Sequence, residues 1–213
     1  MPAEVVSAAD ALERLREGNR RFAAGLRSME VLATHTRRSD LLAGQRPFAI
    51  VLGCSDSRVP AEIVFDQGLG DLFVIRVAGN VVAPSQVGSV EFAATRYDTR
   101  LVVVLGHSQC GAIAATLEEL SQPSATRSRN LRSIVNRIRP SVETLLATEL
   151  RHDPAALARQ AVKANVQSSV DHLRHGSEVL EDLVAGSGLR IVGAEYSLET
   201  GLVEFHDDEA AAH

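Results

Sequence analysis

Phe48-Ala49-Ile50-Val51-Leu52-Gly53-Cys54-Ser55-Asp56-Ser57-Arg58 is an apolar run that ends in a glycine and opens directly into a polar cluster. The pattern recurs at Leu101-Val102-Val103-Val104-Leu105-Gly106-His107-Ser108-Gln109-Cys110-Gly111. A short, β-branched run without polar alternation marks a strand buried on both faces. Such strands belong to parallel sheets covered by helices. In those sheets the functional side chains gather at the carboxyl ends of the strands, near a topological switch point. Cys54 and His107 stand at two such ends, with Gly53 and Gly106 as pivots.

Working outward, residues 71–77 read as a further strand, 88–97 as a helix, and 110–120 as a helix that begins at Cys110. Strands alternating with helices predict right-handed crossovers and a parallel sheet. Upstream, Ser7 with Asp10 three residues later approximates a capping box for a helix that carries Leu12, Leu15 and Phe22. On its outer faces Glu13 pairs with Arg16 and Glu17 with Arg21. Residues 25–46 read as an extended or partly helical arm. Downstream, 128–150 is a helical block in which Pro140 starts a new helix or kinks the old one. Asp153-Pro154 caps a long helix ended by Gly176, and Ser177 caps a shorter one. Residues 189–196 and 201–206 are two closing strands around a Glu199-Thr200-Gly201 turn. The expected fold is three-layer α/β/α: a central, mostly parallel sheet of four to five strands, helices on both faces, and an N-terminal helical arm. It forms one domain over residues 1–213, with 1–46 as the arm.

Composition narrows the function. The chain has 213 residues, 45% of them hydrophobic, but only 4% aromatic and no tryptophan, so Ala, Val, Leu and Ile build the core. A net charge of -5 argues against nucleic-acid binding, which needs a basic face. The start, Met1-Pro2-Ala3-Glu4-Val5, does not read as a signal peptide. No apolar run approaches the roughly 18 residues of a membrane span. Two cysteines without an export signal suggest reduced thiols in the cytoplasm.

Two thiols and one imidazole form a set of three zinc ligands with room for a fourth group, the composition of a catalytic rather than a structural zinc site. His107 and Cys110 are three apart, so a tight turn into a helix aims both at one metal. Asp56 and Arg58, two apart in the loop after the first strand, face the same way. Arg58 holds Asp56 ionised through a bidentate contact. Asp56 either closes the site as a fourth ligand or orients the nucleophile. His172 with His175 reads as a solvated helix face. His206 with Asp207 and Asp208, and His213, read as exposed.

The paired clusters resemble those of β-class carbonic anhydrases of the bacterial type. The likeness continues through Pro60-Ala61-Glu62, Gly70-Asp71-Leu72-Phe73-Val74-Ile75-Arg76, Ala78-Gly79-Asn80 and Ser89-Val90-Glu91-Phe92-Ala93, covering about residues 45–120. Leu15-Arg16-Glu17-Gly18-Asn19-Arg20-Arg21-Phe22 is similar to a helix that embraces a partner subunit. The resemblance implies one Zn2+ per subunit on Cys54, His107 and Cys110, with Asp56 or solvent as fourth ligand. It implies reversible hydration of carbon dioxide to bicarbonate and a proton by attack of zinc-bound hydroxide. It implies a homodimer, possibly a dimer of dimers, with the arm as a dimerisation element. Gln45 matches a glutamine that points at the substrate from a neighbouring subunit, Phe73 an apolar wall residue, and Gly111 a backbone donor to bicarbonate. Carbon disulfide or carbonyl sulfide hydrolysis on the same scaffold is the alternative enzyme, and a non-catalytic zinc or redox sensor the alternative from another class. Some relatives carry an allosteric bicarbonate site built on a tryptophan. Val51 occupies that position here, so the site is not expected, although Arg76 and Tyr196 stand near its other parts.

Overall fold

The computed structural model describes residues 5–28, 35–122 and 128–206. Asp207, Asp208 and His213 lie outside the described residues, as do positions 1–4 and 29–34 of the arm.

Five strands form one sheet: β1 (Ala49–Gly53), β2 (Leu72–Arg76), β3 (Leu101–His107), β4 (Arg190–Tyr196) and β5 (Val203–His206). Their order is β2-β1-β3-β4-β5. The first four are parallel, and β5 returns antiparallel to β4. The described helices are α1 (Ala8–Ala23), α2 (His35–Asp40), α3 (Ala61–Val64), α4 (Pro84–Arg96), α5 (Gly111–Ser121), α6 (Arg129–Val142), α7 (Pro154–His175) and α8 (Glu178–Gly186).

The period-two alternation of strand side chains divides the apolar runs between two cores. Ala49, Val51, Leu101, Val103 and Leu105 face a core shared with Ala11, Leu12 and Leu15 of α1 and Val64 of α3. Ile50, Leu52, Val102 and Val104 face the opposite core, with Val90 of α4, Val166, Val170 and Leu173 of α7, and Leu180 of α8. Each fully buried Val, Leu or Ile contributes about 1.5–3 kcal/mol. Both faces are therefore covered, and the three layers follow.

Helix starts are set by local chemistry. The Ser7 hydroxyl accepts from the Asp10 amide at 3.1 Å. Asp153 accepts from the amides of Ala155 and Ala156, with Pro154 in the first turn. On α1, Glu13 takes Arg16 at 3.7 Å as its spacing suggests, and also Arg20. Arg21, however, reaches Asp66 at 2.6 Å instead of Glu17, because the buried Asp66 carboxylate is the stronger partner. Asn19 fastens α1 to its own chain: its amide donates to the carbonyls of Val64 (3.1 Å) and Gly201 (2.9 Å), and its oxygen accepts from Val203 N (2.8 Å). Pro140 neither starts nor breaks a helix. It lies in the last turn of α6, where its missing N–H removes one backbone bond, and the chain continues in two 3-10 turns from Glu143 to His152.

Glycine sets how closely α7 approaches the sheet. A Cβ on Gly106 or Gly193 would stand 2.5 or 2.8 Å from methyls of Val166. With β2 on one side of β1 and β3 on the other, the chain leaves β1 and β3 in opposite directions. The crevice at their carboxyl ends is the switch point.

Candidate metal centre

Cys54 follows the last residue of β1, and His107 is the last residue of β3. Ser108 keeps the chain on course: its N–H donates to Tyr196 O at 2.9 Å, and its hydroxyl accepts from Leu198 N at 2.9 Å. Gln109 then takes a left-handed conformation, φ 56°, which turns the chain within three residues. Cys110 lands as the N-cap of α5, beside His107. The ligand atoms of Cys54, His107 and Cys110 all lie within 4.8 Å of one another. They are 5%, 0% and 4% exposed. Among the described residues this is the one cluster of three metal-ligating side chains. His172 and His175 lie on the exposed face of α7.

The hydrogen bonds point the donors inward. His107 Nδ1 is 2.9 Å from the Ser108 carbonyl oxygen, which only accepts. Nδ1 therefore carries the proton, and in the neutral ring Nε2 carries the lone pair. Nε2 is buried and has no hydrogen-bond partner. Cys54 Sγ accepts from the amides of Asp56 and Gly79, both at 3.4 Å. The Cys110 S–H is the largest influence on Cys54 and, with His107 and the two amides, outweighs burial, lowering its thiol well below the ordinary value. Cys110 moves upward, because it donates to Cys54 and is itself buried. The two sulfurs and the imidazole are close enough to share one cation. Burial alone would lower the His107 pKa, but the Cys54 thiolate and the Ser108 carbonyl raise it overall. An orphaned imidazole nitrogen beside paired sulfurs fits zinc, whose preferred donors are thiolate and imidazole.

Asp56 and Arg58 form the contact their spacing suggests. Arg58 Nε and Nη2 donate to the two carboxylate oxygens at 2.9 and 2.7 Å, and the Arg58 amide adds a third bond at 3.0 Å. The guanidinium holds the Asp56 carboxyl well below the usual carboxylate range. Arg58 also donates to Gln109 O at 3.2 Å, tying the two loops together. Asp56 Oδ2 is 3.9 Å from His107 Nε2, at the edge of the cluster and too far for a hydrogen bond. Gly111 opens α5, with its N–H at an exposed helix start and open space where a Cβ would be.

Gln45 and Phe73 are not brought to this cluster within the chain. Gln45 Nε2 donates to the Tyr97 hydroxyl at 2.9 Å. Phe73 pairs in register with Ile50, three residues before Gly53, or about 10 Å down the strand at ~3.3 Å per residue. It packs with Phe92 and Tyr97, ring centres 6.2 and 6.1 Å away.

Several residues support the site in ways the sequence did not assign to them. Arg76 braces the site loop, donating to the carbonyls of Cys54 (3.0 Å) and Asp56 (2.6 Å). Tyr196 is buried against Phe22. Gly79, at φ 69°, presents its N–H to Cys54, and a Cβ there would meet Ile138 at 2.8 Å. Its carbonyl is held by Asn165 (2.8 Å), and that of Asn80 by Ser169 (3.1 Å). Asn165 and Ser169 are one turn apart, two polar residues among Val162, Val166 and Val170 on α7. That interruption of an apolar stripe was the available signal.

Residues 49–203 match the family model described as carbonic anhydrase. Carbonic anhydrase 2 of Mycobacterium tuberculosis is 40% identical over 197 residues, covering 92% of each chain. Carbonic anhydrase of Mycolicibacterium smegmatis is 41% identical over 196 residues, covering 91% of each. Among solved structures, the β-carbonic anhydrase CafA of Aspergillus fumigatus superposes with a TM-score of 0.71 at 27% identity, covering 93% of this chain and 90% of that one. With the predicted sheet and the Cys-His-Cys cluster both present, this chain belongs to the β-carbonic anhydrase family and is a carbonic anhydrase.

Proposed function

We propose that the chain hydrates carbon dioxide to bicarbonate and a proton, reversibly, at one zinc ion held by Cys54, His107 and Cys110. The observation that carries this reading is the buried, unpartnered His107 Nε2 within 4.8 Å of two sulfurs. When bound, zinc supplies Lewis acidity that makes water a nucleophile near neutral pH. The remaining chemistry belongs to the protein. Asp56, kept ionised by Arg58, accepts a hydrogen bond from the nucleophile and aims its lone pair at the carbon. Both carboxylate oxygens are engaged by Arg58, which favours this orienting role over direct ligation. The Gly111 N–H, at a helix start where anions are favoured, donates to a bicarbonate oxygen.

Gln45 and Phe73 enter from a neighbouring subunit, the Gln45 carboxamide toward the substrate oxygens and Phe73 as an apolar wall. Both stand on exposed or half-buried surface away from their own cluster, so they serve a site only across a subunit boundary. A homodimer is therefore the smallest working unit. The N-terminal arm is the proposed dimerisation element, α1 included, since only one of its faces packs on its own sheet. Its described part also carries Leu42, which is 88% exposed.

Stopped-flow hydration of carbon dioxide by the zinc-loaded protein, run beside a sulfide-release assay on carbon disulfide and carbonyl sulfide, tests the reaction. Rapid hydration with no sulfide release is expected. Sulfide release without hydration would transfer the site to the alternative substrates, and neither activity would leave a zinc or redox sensor.

A further inference from the structure

We infer that Tyr97 is a positioning residue for the reaction, acting through Gln45. This rests on the role proposed above for Gln45. Gln45 follows Gly44 on the connection into β1, and its side chain is exposed. A free glutamine there would sample many rotamers, each aiming the carboxamide elsewhere, and ordering it would cost entropy at the moment of reaction. The hydrogen bond from its Nε2 to the Tyr97 hydroxyl at 2.9 Å removes that freedom beforehand. A carboxamide has two N–H groups and one oxygen. With one N–H spent on Tyr97, the other and the oxygen are fixed in direction.

Tyr97 is itself held from three sides. Its N–H closes the end of α4 on Ala93 O at 3.1 Å. Its ring stands edge-on to Phe92, 5.7 Å between centres at 88°, and tilted to Phe73 at 6.1 Å. The polar tip and the apolar wall assigned to the substrate thus form one unit, built on α4 and β2 and joined by a single hydroxyl. Replacing Tyr97 by phenylalanine keeps the ring packing and deletes only that joint.

The test is a double-mutant cycle on the zinc-loaded, full-length protein: wild type, Tyr97→Phe, Gln45→Ala and the double variant. Each is assayed for carbon dioxide hydration, zinc content and thermal midpoint. Loss of one orienting hydrogen bond predicts that Tyr97→Phe lowers kcat/KM about three- to tenfold, with zinc content and midpoint unchanged. Gln45→Ala lowers kcat/KM at least as far, and the double variant matches Gln45→Ala alone. Normal kinetics in Tyr97→Phe beside an impaired Gln45→Ala would overturn the role of Tyr97 and leave that of Gln45 standing. Equal losses from Tyr97→Phe in both backgrounds would mean that it acts without Gln45, which also overturns the inference. Normal kinetics in Gln45→Ala would remove the proposed role of Gln45 itself, and with it the inference.

Discussion

Asp56 and Arg58 are two exposed-edge residues whose mutual contact would mean little elsewhere, since a surface ion pair is worth about 0–1 kcal/mol. Here the pair sits 3.9 Å from Nε2 of His107, the proposed zinc ligand, so its proposed value is in direction rather than stability. Asp56→Asn keeps the shape but removes the charged oxygen that accepts the nucleophile's hydrogen bond, and lets an N–H face it instead. Zinc content should hold at the wild-type level while kcat/KM falls about 100-fold or more, in the range of lost acid–base partners; an unaffected rate would remove the orienting role. Arg58→Ala leaves the carboxylate in place but releases it. Its kcat/KM should drop about 10- to 100-fold, as for lost supporting contacts of a metal site. The same substitution lifts the Asp56 carboxyl back toward its ordinary range, because the guanidinium is the first cause of its depression. Assayed in the dehydration direction, Arg58→Ala should therefore lose activity on acidification at a higher pH than the wild type. Coincident acid limbs would show that Arg58 does not hold Asp56 ionised.

At the scale of elements, the β4–β5 hairpin carries a measurable charge conflict. Glu195 and Glu204 lie directly opposite each other. Burial first, then Glu204, raises the Glu195 carboxyl, against the pull of Lys163 and His107. A folded-state pKa above the unfolded value means that the favourable contribution is present at low pH and lost as pH rises through the folded pKa. At neutral pH the ionised Glu195 therefore costs stability. Glu195→Gln should stabilise the chain by about 0.5 kcal/mol at pH 8, the size of a like-charge cross-strand pair. The gain should shrink toward zero by pH 4. A thermal midpoint that does not rise at pH 8 would contradict this. The strands themselves were legible because continuous apolar runs bounded by glycine have one buried solution in a helix-covered sheet. The capped helices were legible because Ser7, Asp153 and Ser177 write their own starts. The single turn α3 gave no periodic signal at four residues. Pro140 starts no new helix, because it falls in the last turn of α6, and its distance from the helix end is not printed in the sequence. Among site residues, those carried by contiguous clusters (Cys54, Asp56, Arg58, His107, Cys110) were readable. Arg76, Asn165 and Ser169 act through carbonyls brought near by the sheet and by α7, and Tyr97 through a contact 52 residues away. Local sequence does not encode such meetings.

The whole molecule brings together Cys54, just after β1, with His107 and Cys110 from β3 and its turn, and the Gly79 amide as support after β2. No segment alone holds the site. α7 seals it from behind, where Gly106 and Gly193 let Val166 approach, and both sheet faces are covered by helices. No helix among the described residues is long and apolar enough to cross a membrane. The central claim is that this convergence makes one zinc site per chain and that this site performs the hydration. The most direct measurement is the rate of carbon dioxide hydration as zinc is restored stepwise to metal-depleted protein, with metal counted per chain. The account predicts a rate that starts near zero, rises in proportion to zinc, and saturates at one ion per chain. A rate independent of zinc, or one still rising beyond one ion per chain, would contradict it.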